Sequence, residues 1–237
     1  MSKREQARCV PAKPCNHGNG NPTLQEQPES GTRTIMKHRI LESRVLLVLF
    51  AFSFFATLSI FLVPFLIPPG TVTNLNGSAN SIDYNELWEA LPFFPRIVYY
   101  AGDAECHQIS NRTIYLNGNQ MPVCARDTSI FLFLTVGLFL GMLSRRNYYI
   151  SAGLLSILPR KFGMFIERRI GAKWFTTIFV FVCLAPVAID GGLQLLTEYE
   201  STNLLRVITG FPAGLVAGLL LAIMIKSFKA TKEYERD

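Results

Sequence analysis

The 23 residues from Val45 to Ile67 contain no charged side chain. As an α-helix this run rises ~1.5 Å per residue to ~35 Å, enough to cross a hydrocarbon core of ~30 Å. Three more apolar blocks follow it. Thr128 to Leu143 is 16 residues long, short for a span unless flanking arginines snorkel or the bilayer thins. Trp174 to Leu196 contains Pro186 and Asp190, and Val207 to Ile225 carries Gly214 and Gly218 in a small-xxx-small arrangement suited to close helix packing. Charged residues form 17% of the chain and lie almost wholly outside these blocks, against ~25% in a typical soluble domain. The expected fold is all-α: an integral membrane bundle of about four transmembrane helices at 45–67, 128–143, 174–196 and 207–225.

The rest of the chain divides by composition. Residues 1–44 are rich in Pro, Asn, Gly, Gln and charge, and too poor in large apolar side chains to offset chain entropy, so they are expected to be a disordered tail. No apolar core follows the first basic residues closely, which argues against a secretory signal peptide. The stretch Asn85 to Tyr100 mixes Trp and Tyr with Glu86, Glu89 and Arg96, a composition expected along a membrane surface. Ile150 to Leu158 is apolar but too short to span; an interfacial segment and a continuation of the second helix both fit it.

Charge supplies a direction. Lys and Arg number eight in residues 1–44, seven in 145–173 and four in 226–237, against three in 68–127 and one in 197–206. The positive-inside rule therefore places both termini in the cytoplasm, makes 68–127 an extracytoplasmic loop, and makes 145–173 and 226–237 a basic cytoplasmic loop and tail. The expected location is the cell membrane, crossed several times. The net charge of +6 reads as a topology signal and an attraction to anionic headgroups. No basic stripe alternates with exposed aromatics, so nucleic acid is not an expected partner. Membrane lipids are, together with partner membrane subunits or further copies of the chain. The loop holds two glycosylation sequons, at Asn76 and Asn111.

Of five cysteines, Cys9 and Cys15 lie in the tail, with His17 two residues beyond, and make at most a weak metal site; Cys183 reads as a small packed residue of the third span. Cys106 and Cys124 differ, being 18 residues apart in the loop expected to face an oxidising compartment. Three readings stand for them. A disulfide would close the loop and contribute ~3 kcal/mol by the chain-entropy estimate. A metal site would add His107 and Asp127, since thiolate, imidazole and carboxylate suit zinc or another transition metal. A redox-active dithiol is the third.

An ionisable group inside a span is costly and normally faces a partner within the protein. Asp190 and Gln194 share a helix face at i and i+4, in the part of the third span nearest the loop. Arg126 and Asp127 enter the second span at the same depth. In the following segment Thr202, Asn203, Arg206, Thr209 and Gly210 fall on one face by three- and four-residue spacing, and Arg206 is the expected partner of Asp190. Two readings remain: a structural ion pair locking two helices, or a polar pocket. In the pocket, Asp190, Arg206, His107 and Arg126 are the candidates for chemistry, with Arg112, Asp127, Gln194, Thr202, Asn203 and Thr209 for substrate or partner binding.

Four stretches together, Cys106-His-Gln with Arg112 downstream, Met121-Pro-Val-Cys-Ala-Arg126, Pro186-x-Ala-x-Asp-Gly-Gly-x-Gln194 and Ser201-Thr-Asn-x-x-Arg-x-x-Thr-Gly210, resemble a family of membrane proteins known as domain of unknown function 2085. The resemblance covers roughly Tyr99 to Gly218 and implies a polytopic membrane protein without implying a reaction. The family continues Cys-Ala-Arg with Cys-Thr-Gly-Ile-Tyr, whereas this chain has Asp127 and Ser129 at the Cys and Gly positions. If the family cysteines form a metal or redox site, that departure removes one ligand or replaces it with a carboxylate.

Three functions stay open. One is a polar, metal- or redox-active site near the outer membrane face; another is an accessory or structural subunit of a membrane complex; a third is a small transporter. The chain has no G-x-x-x-x-G-K, H-E-x-x-H or G-x-S-x-G, which leaves P-loop, zincin and hydrolase-elbow chemistry unsupported.

Overall fold

A computed structural model of the protein describes residues 44–78 and 80–234. The tail expected at 1–44, apart from Arg44, and the Cys9, Cys15 and His17 reading lie outside the described residues. Four helices are long and apolar enough to cross a membrane, at Arg44–Phe65, Ala125–Met142, Ala172–Leu196 and Asn203–Thr231. The fold is thus an all-α membrane bundle, built from α1 (Arg44–Leu62), α2 (Asn85–Glu89), α3 (Phe93–Glu105), α4 (Ala125–Met142), α5 (Ile150–Leu155), α6 (Arg160–Arg169), α7 (Ala172–Leu196) and α8 (Asn203–Tyr234).

Helices α4 and α8 form the centre, because small residues let their backbones meet. A Cβ at Gly210 would stand 2.7 Å from the Arg126 carbonyl oxygen, and Cβ atoms at Gly214 and Gly218 would collide with the carbonyl oxygens of Ile130 and Leu134. From the other side Gly137 and Gly141 receive Leu215 and Ala222 in the same way. In lipid no hydrophobic force draws helices together, so such close packing and interhelical hydrogen bonds have to hold them. Helix α1 joins α4 through both, with Ser53 Oγ and Thr135 Oγ1 at 2.6 Å, Thr57 Oγ1 and Thr135 Oγ1 at 3.0 Å, and Leu46 buried against Leu138, Met142 and Ala222. Helix α7 lies against α8 and is the least covered span, 11% buried against 50% for α8, so most of its apolar surface faces outward.

The ends differ from expectation in three places. The fourth span begins at Asn203 and its helix runs on to Tyr234, past the tail expected from residue 226. There Lys226 Nζ donates to Met142 O at 2.6 Å and Ser144 O at 2.8 Å, meeting carbonyls that the end of α4 leaves free. Ile150–Leu155 does not continue α4: it is a separate short helix with Ser151 to Leu155 buried. Gly171, at φ +84°, ends α6 and turns the chain into α7, its N–H and that of Ile170 both bonding the Ile166 carbonyl.

The third is Asn85 to Tyr100, which forms α2 and α3 of a folded cap over one end of the bundle, its aromatics divided between a buried core and an exposed face. Trp88 and Tyr99 are fully buried, stack at 5.1 Å, and pack with Val63, Ile67, Val72, Leu75 and Leu91. The opposite face of α3 leaves Phe93, Ile97 and Tyr100 exposed. Much of the cap is held by polar side chains bonded to backbone. Asp103 Oδ2 accepts from Trp88 Nε1 at 2.7 Å and from the N–H groups of Asp83 and Tyr84. Asn119 Nδ2 donates to Pro64 O and Pro68 O, and Gln108 Nε2 donates to Pro122 O at 2.7 Å. A two-residue turn at Asn117-Gly118, both at positive φ, sets the small hairpin β1 (Tyr115–Leu116) and β2 (Asn119–Gln120), pairing Tyr115 with Gln120.

Candidate functional site at the cap end

Two polar groups meet where the cap joins the bundle. The first surrounds the N-terminus of α4. Cys106 follows α3 and Cys124 is the N-cap of α4, so the hairpin between them returns the chain to its starting point. The Cys106 and Cys124 sulfurs and an Asp127 carboxylate oxygen all lie within 4.8 Å of one another. The Cys124 N–H donates to Cys106 Sγ at 3.4 Å, and the Cys124 thiol donates to Asp127 Oδ2 at 3.0 Å. The neighbouring Cys124 side chain lowers the Cys106 pKa, while Cys106 and burial raise the pKa of Cys124. Of the two, Cys106 is the thiol readier to ionise.

Two sequence expectations change here. Cys106 and Cys124 are free thiols rather than a disulfide: the two sulfurs are neighbours, but Cys124 is turned to the Asp127 carboxylate. His107 does not join the cluster. It directs away as an exposed residue whose backbone carbonyl accepts from Gly77 N at 3.0 Å.

The second group joins α4, α7 and α8. Arg126 Nη2 donates to Asp190 Oδ2 and, at 3.2 Å, to Gln194 Oε1, so the Asp190 and Gln194 face holds one guanidinium. Gly191 lies beside it, where a Cβ would stand in ordinary contact, 3.5 Å from Arg126 Nη1. Tyr199 Oη donates to Asp190 Oδ1 at 3.3 Å, and Thr209 Oγ1 lies 3.5 Å from Asp190 Oδ2. The partner expected for Asp190 was Arg206, and the structure substitutes Arg126. Arg206 instead turns back on its own helix start, its Nε donating to Ser201 O at 3.1 Å.

The remaining candidates fall around these. Arg112 Nη2 meets Glu200 Oε1 at 2.8 Å, and Asn111 Nδ2 meets the other Glu200 oxygen at 3.2 Å, tying the cap to the α7–α8 link. Asn203 Nδ2 donates to Thr113 O at 3.2 Å. Thr202 is exposed and acts as a helix cap, its Oγ1 accepting from Leu205 N at 3.3 Å. The sequon asparagines Asn76 and Asn111 are both exposed. Sequence reasoning passed over Tyr199 and Glu200, whose only signal was their place in a link too short to lie far from either helix end, and quoted Ser201 only as part of a motif.

Several buried polar atoms here have no hydrogen-bond partner among the described residues: Arg206 Nη2, Arg126 Nε, Arg112 Nε, Gln194 Nε2, Asn203 Oδ1 and Thr128 Oγ1. Most are N–H donors.

The comparisons with known proteins agree on class. The family described as "Predicted membrane protein (DUF2085)" matches residues 106–220. An uncharacterised protein of Methanocaldococcus jannaschii is 30% identical over 193 residues, which cover 78% of this chain and 97% of that protein. An uncharacterised protein of Methanothermobacter thermautotrophicus is 31% identical over 119 residues, covering 50% of this chain and 86% of that protein. No solved structure matches the chain.

Proposed function

Since the chain belongs to the DUF2085 family of predicted membrane proteins, we propose that it is a multi-pass protein of the cell membrane that holds a transition metal, zinc being the first candidate, at Cys106, Cys124 and Asp127 on the outer face. The observation that carries the reading is the approach of two sulfurs and a carboxylate oxygen to within 4.8 Å. Two thiolates and a carboxylate form a donor set that zinc accepts, and three protein ligands leave a position for water or substrate. The lowered pKa of Cys106 supports the reading, because a thiol binds metal as its thiolate. Asp127 occupies the place where the family pattern has a cysteine, so a carboxylate would replace the third thiolate.

The outer location rests on the charge asymmetry of the loops, which puts the cap outside and both termini in the cytoplasm. Impermeant thiol or biotin labelling of single cysteines placed at the exposed positions Ser78 and Lys161 tests it: Ser78 should label in intact cells and Lys161 only after lysis.

The metal reading is tested by elemental analysis of the purified full chain after exposure to zinc. About one zinc per chain is expected, with Cys106→Ser and Asp127→Ala each reducing the content well below that. Zinc binding unchanged in both variants, or absent in the parent protein, overturns it. If Cys106 and Cys124 instead form a reversible disulfide under mild oxidation and no metal is held, the redox reading replaces it.

A second reading has its own observation. Because α7 is so little covered by the rest of the chain, it offers a lipid-facing surface to another membrane subunit or a second copy. Crosslinking from Phe181 in native membranes would capture such a neighbour, and lipid-only adducts would exclude it.

A further inference from the structure

We infer that the cap end of the bundle binds a phosphate group, with Arg206 as its main anchor. This inference stands apart from the metal reading, since it concerns guanidinium donors rather than the thiols.

Arg206 is 3% exposed, yet among the described residues its guanidinium makes a single hydrogen bond, from Nε to a backbone carbonyl, and lies in no ion pair, and its buried Nη2 has no partner there. A buried charge is strongly unfavourable unless paired and hydrogen-bonded. Asp190 is held by Arg126 and Glu200 by Arg112, so among the described residues the ion pairs leave Arg206 without a carboxylate of its own.

Most of the unpartnered atoms at this end are donors. Arg206 Nη2, Arg126 Nε, Arg112 Nε and Gln194 Nε2 stand beside one acceptor, Asn203 Oδ1, and the Thr128 hydroxyl. Donors without acceptors call for a ligand rich in acceptor oxygens. Helix α8 adds to the field, because it begins here with no acidic residue in its first turn, whereas the first turn of α4 already carries Asp127. Helix N-termini carry partial positive charge and free N–H groups, and guanidinium forks match phosphate oxygens. The place, at the ends of three spans, is also where lipid headgroups lie. The ligand could then come as a phospholipid headgroup or as free phosphate.

The test uses the full chain, purified in a phosphorus-free detergent. Bound phosphorus is measured by elemental analysis, retained phospholipid by mass spectrometry, and thermal unfolding is followed as inorganic phosphate is added. About one phospholipid per chain, surviving delipidation less well in Arg206→Gln, identifies the headgroup source. Little retained phosphorus with a saturable, phosphate-dependent rise in Tm identifies free phosphate. In either arm Arg206→Gln should weaken binding about tenfold or more, and Arg206→Lys by less. Cys106→Ser should leave phosphate binding intact, which separates this inference from the metal site. If Arg206→Gln does not fold, the parent protein still decides. No retained phospholipid and no response to millimolar phosphate overturn the inference, as does binding unaffected by Arg206→Gln.

Discussion

Arg126 and Asp190 stand 64 residues apart in sequence and form an ion pair in which the aspartate side chain is 5% exposed and the arginine 17%. The pair joins α4 to α7, two helices that otherwise meet mainly through α8. Removing one member strands the other at low dielectric, a loss of about 3 kcal/mol or more, whereas removing both together strands neither. Asp190→Leu should therefore lower the unfolding midpoint in mild detergent more than the double variant Arg126→Met/Asp190→Leu. A double variant at least as unstable as the single would show that the pair itself, and not the stranded charge, sets the stability.

The α4–α8 contact makes a sharper steric prediction. Gly214→Val and Gly218→Val place side chains where the Ile130 and Leu134 carbonyls already stand, and the helices must separate to admit them. Each should cost about 1–3 kcal/mol or more. Gly192→Ala is the control, because a Cβ there meets nothing within 4 Å and alanine favours helix by about 1 kcal/mol. Melting curves of the three variants should separate cleanly into two destabilised proteins and one that is unchanged or more stable.

At the opposite end of the same helix pair, Lys226→Met keeps the aliphatic stem and removes the ammonium that meets Met142 O and Ser144 O. Two buried carbonyls then lose a charged donor, at a cost of about 1.5–3 kcal/mol. Hydrogen exchange should quicken first at Leu143 and Ser144, whose N–H groups close the last turn of α4. Unchanged protection there would mean that water replaces the lysine without loss.

How much of this could be read from the chain follows from what each feature depends on. The spans were legible because hydropathy is a local property and the bilayer sets the length. The small-xxx-small stripe was visible at Gly214 and Gly218, but Gly137 and Gly141 became meaningful only opposite α8. For Asp190, depth alone left two arginines eligible; backbone direction decided it, since Arg206 sits in the first turn of α8 and its side chain reaches Ser201 O. The cap was the least legible part. Gln108, Asn119 and Gln120 read as surface residues by polarity, yet all three are fully buried and bond backbone groups 12 to 55 residues away. Periodicity reports burial of apolar faces and is blind to polar side chains used as internal struts. Residue spacing did bring Asp127 to Cys106 and Cys124, and it also admitted His107, which lies outside the cluster.

The Arg112–Glu200 pair gives a pH signature. The hydrogen bond from Arg112, and then its charge, hold the Glu200 carboxyl below its ordinary pKa. A depressed folded-state pKa means that the pair's contribution is fully present above the unfolded glutamate value of ~4.3 and is lost as pH falls below it through the folded value. The difference in Tm between the parent protein and Glu200→Gln should therefore hold from pH 7 to about 5 and close toward pH 3. The carboxylate is exposed, so the difference should also shrink in high salt. Other acidic groups titrate over the same range in both proteins, which is why the difference, and not either Tm alone, carries the information. A gap that persists unchanged at pH 3 would assign the effect of Glu200→Gln to its contact with Asn111, which needs no charge on the glutamate.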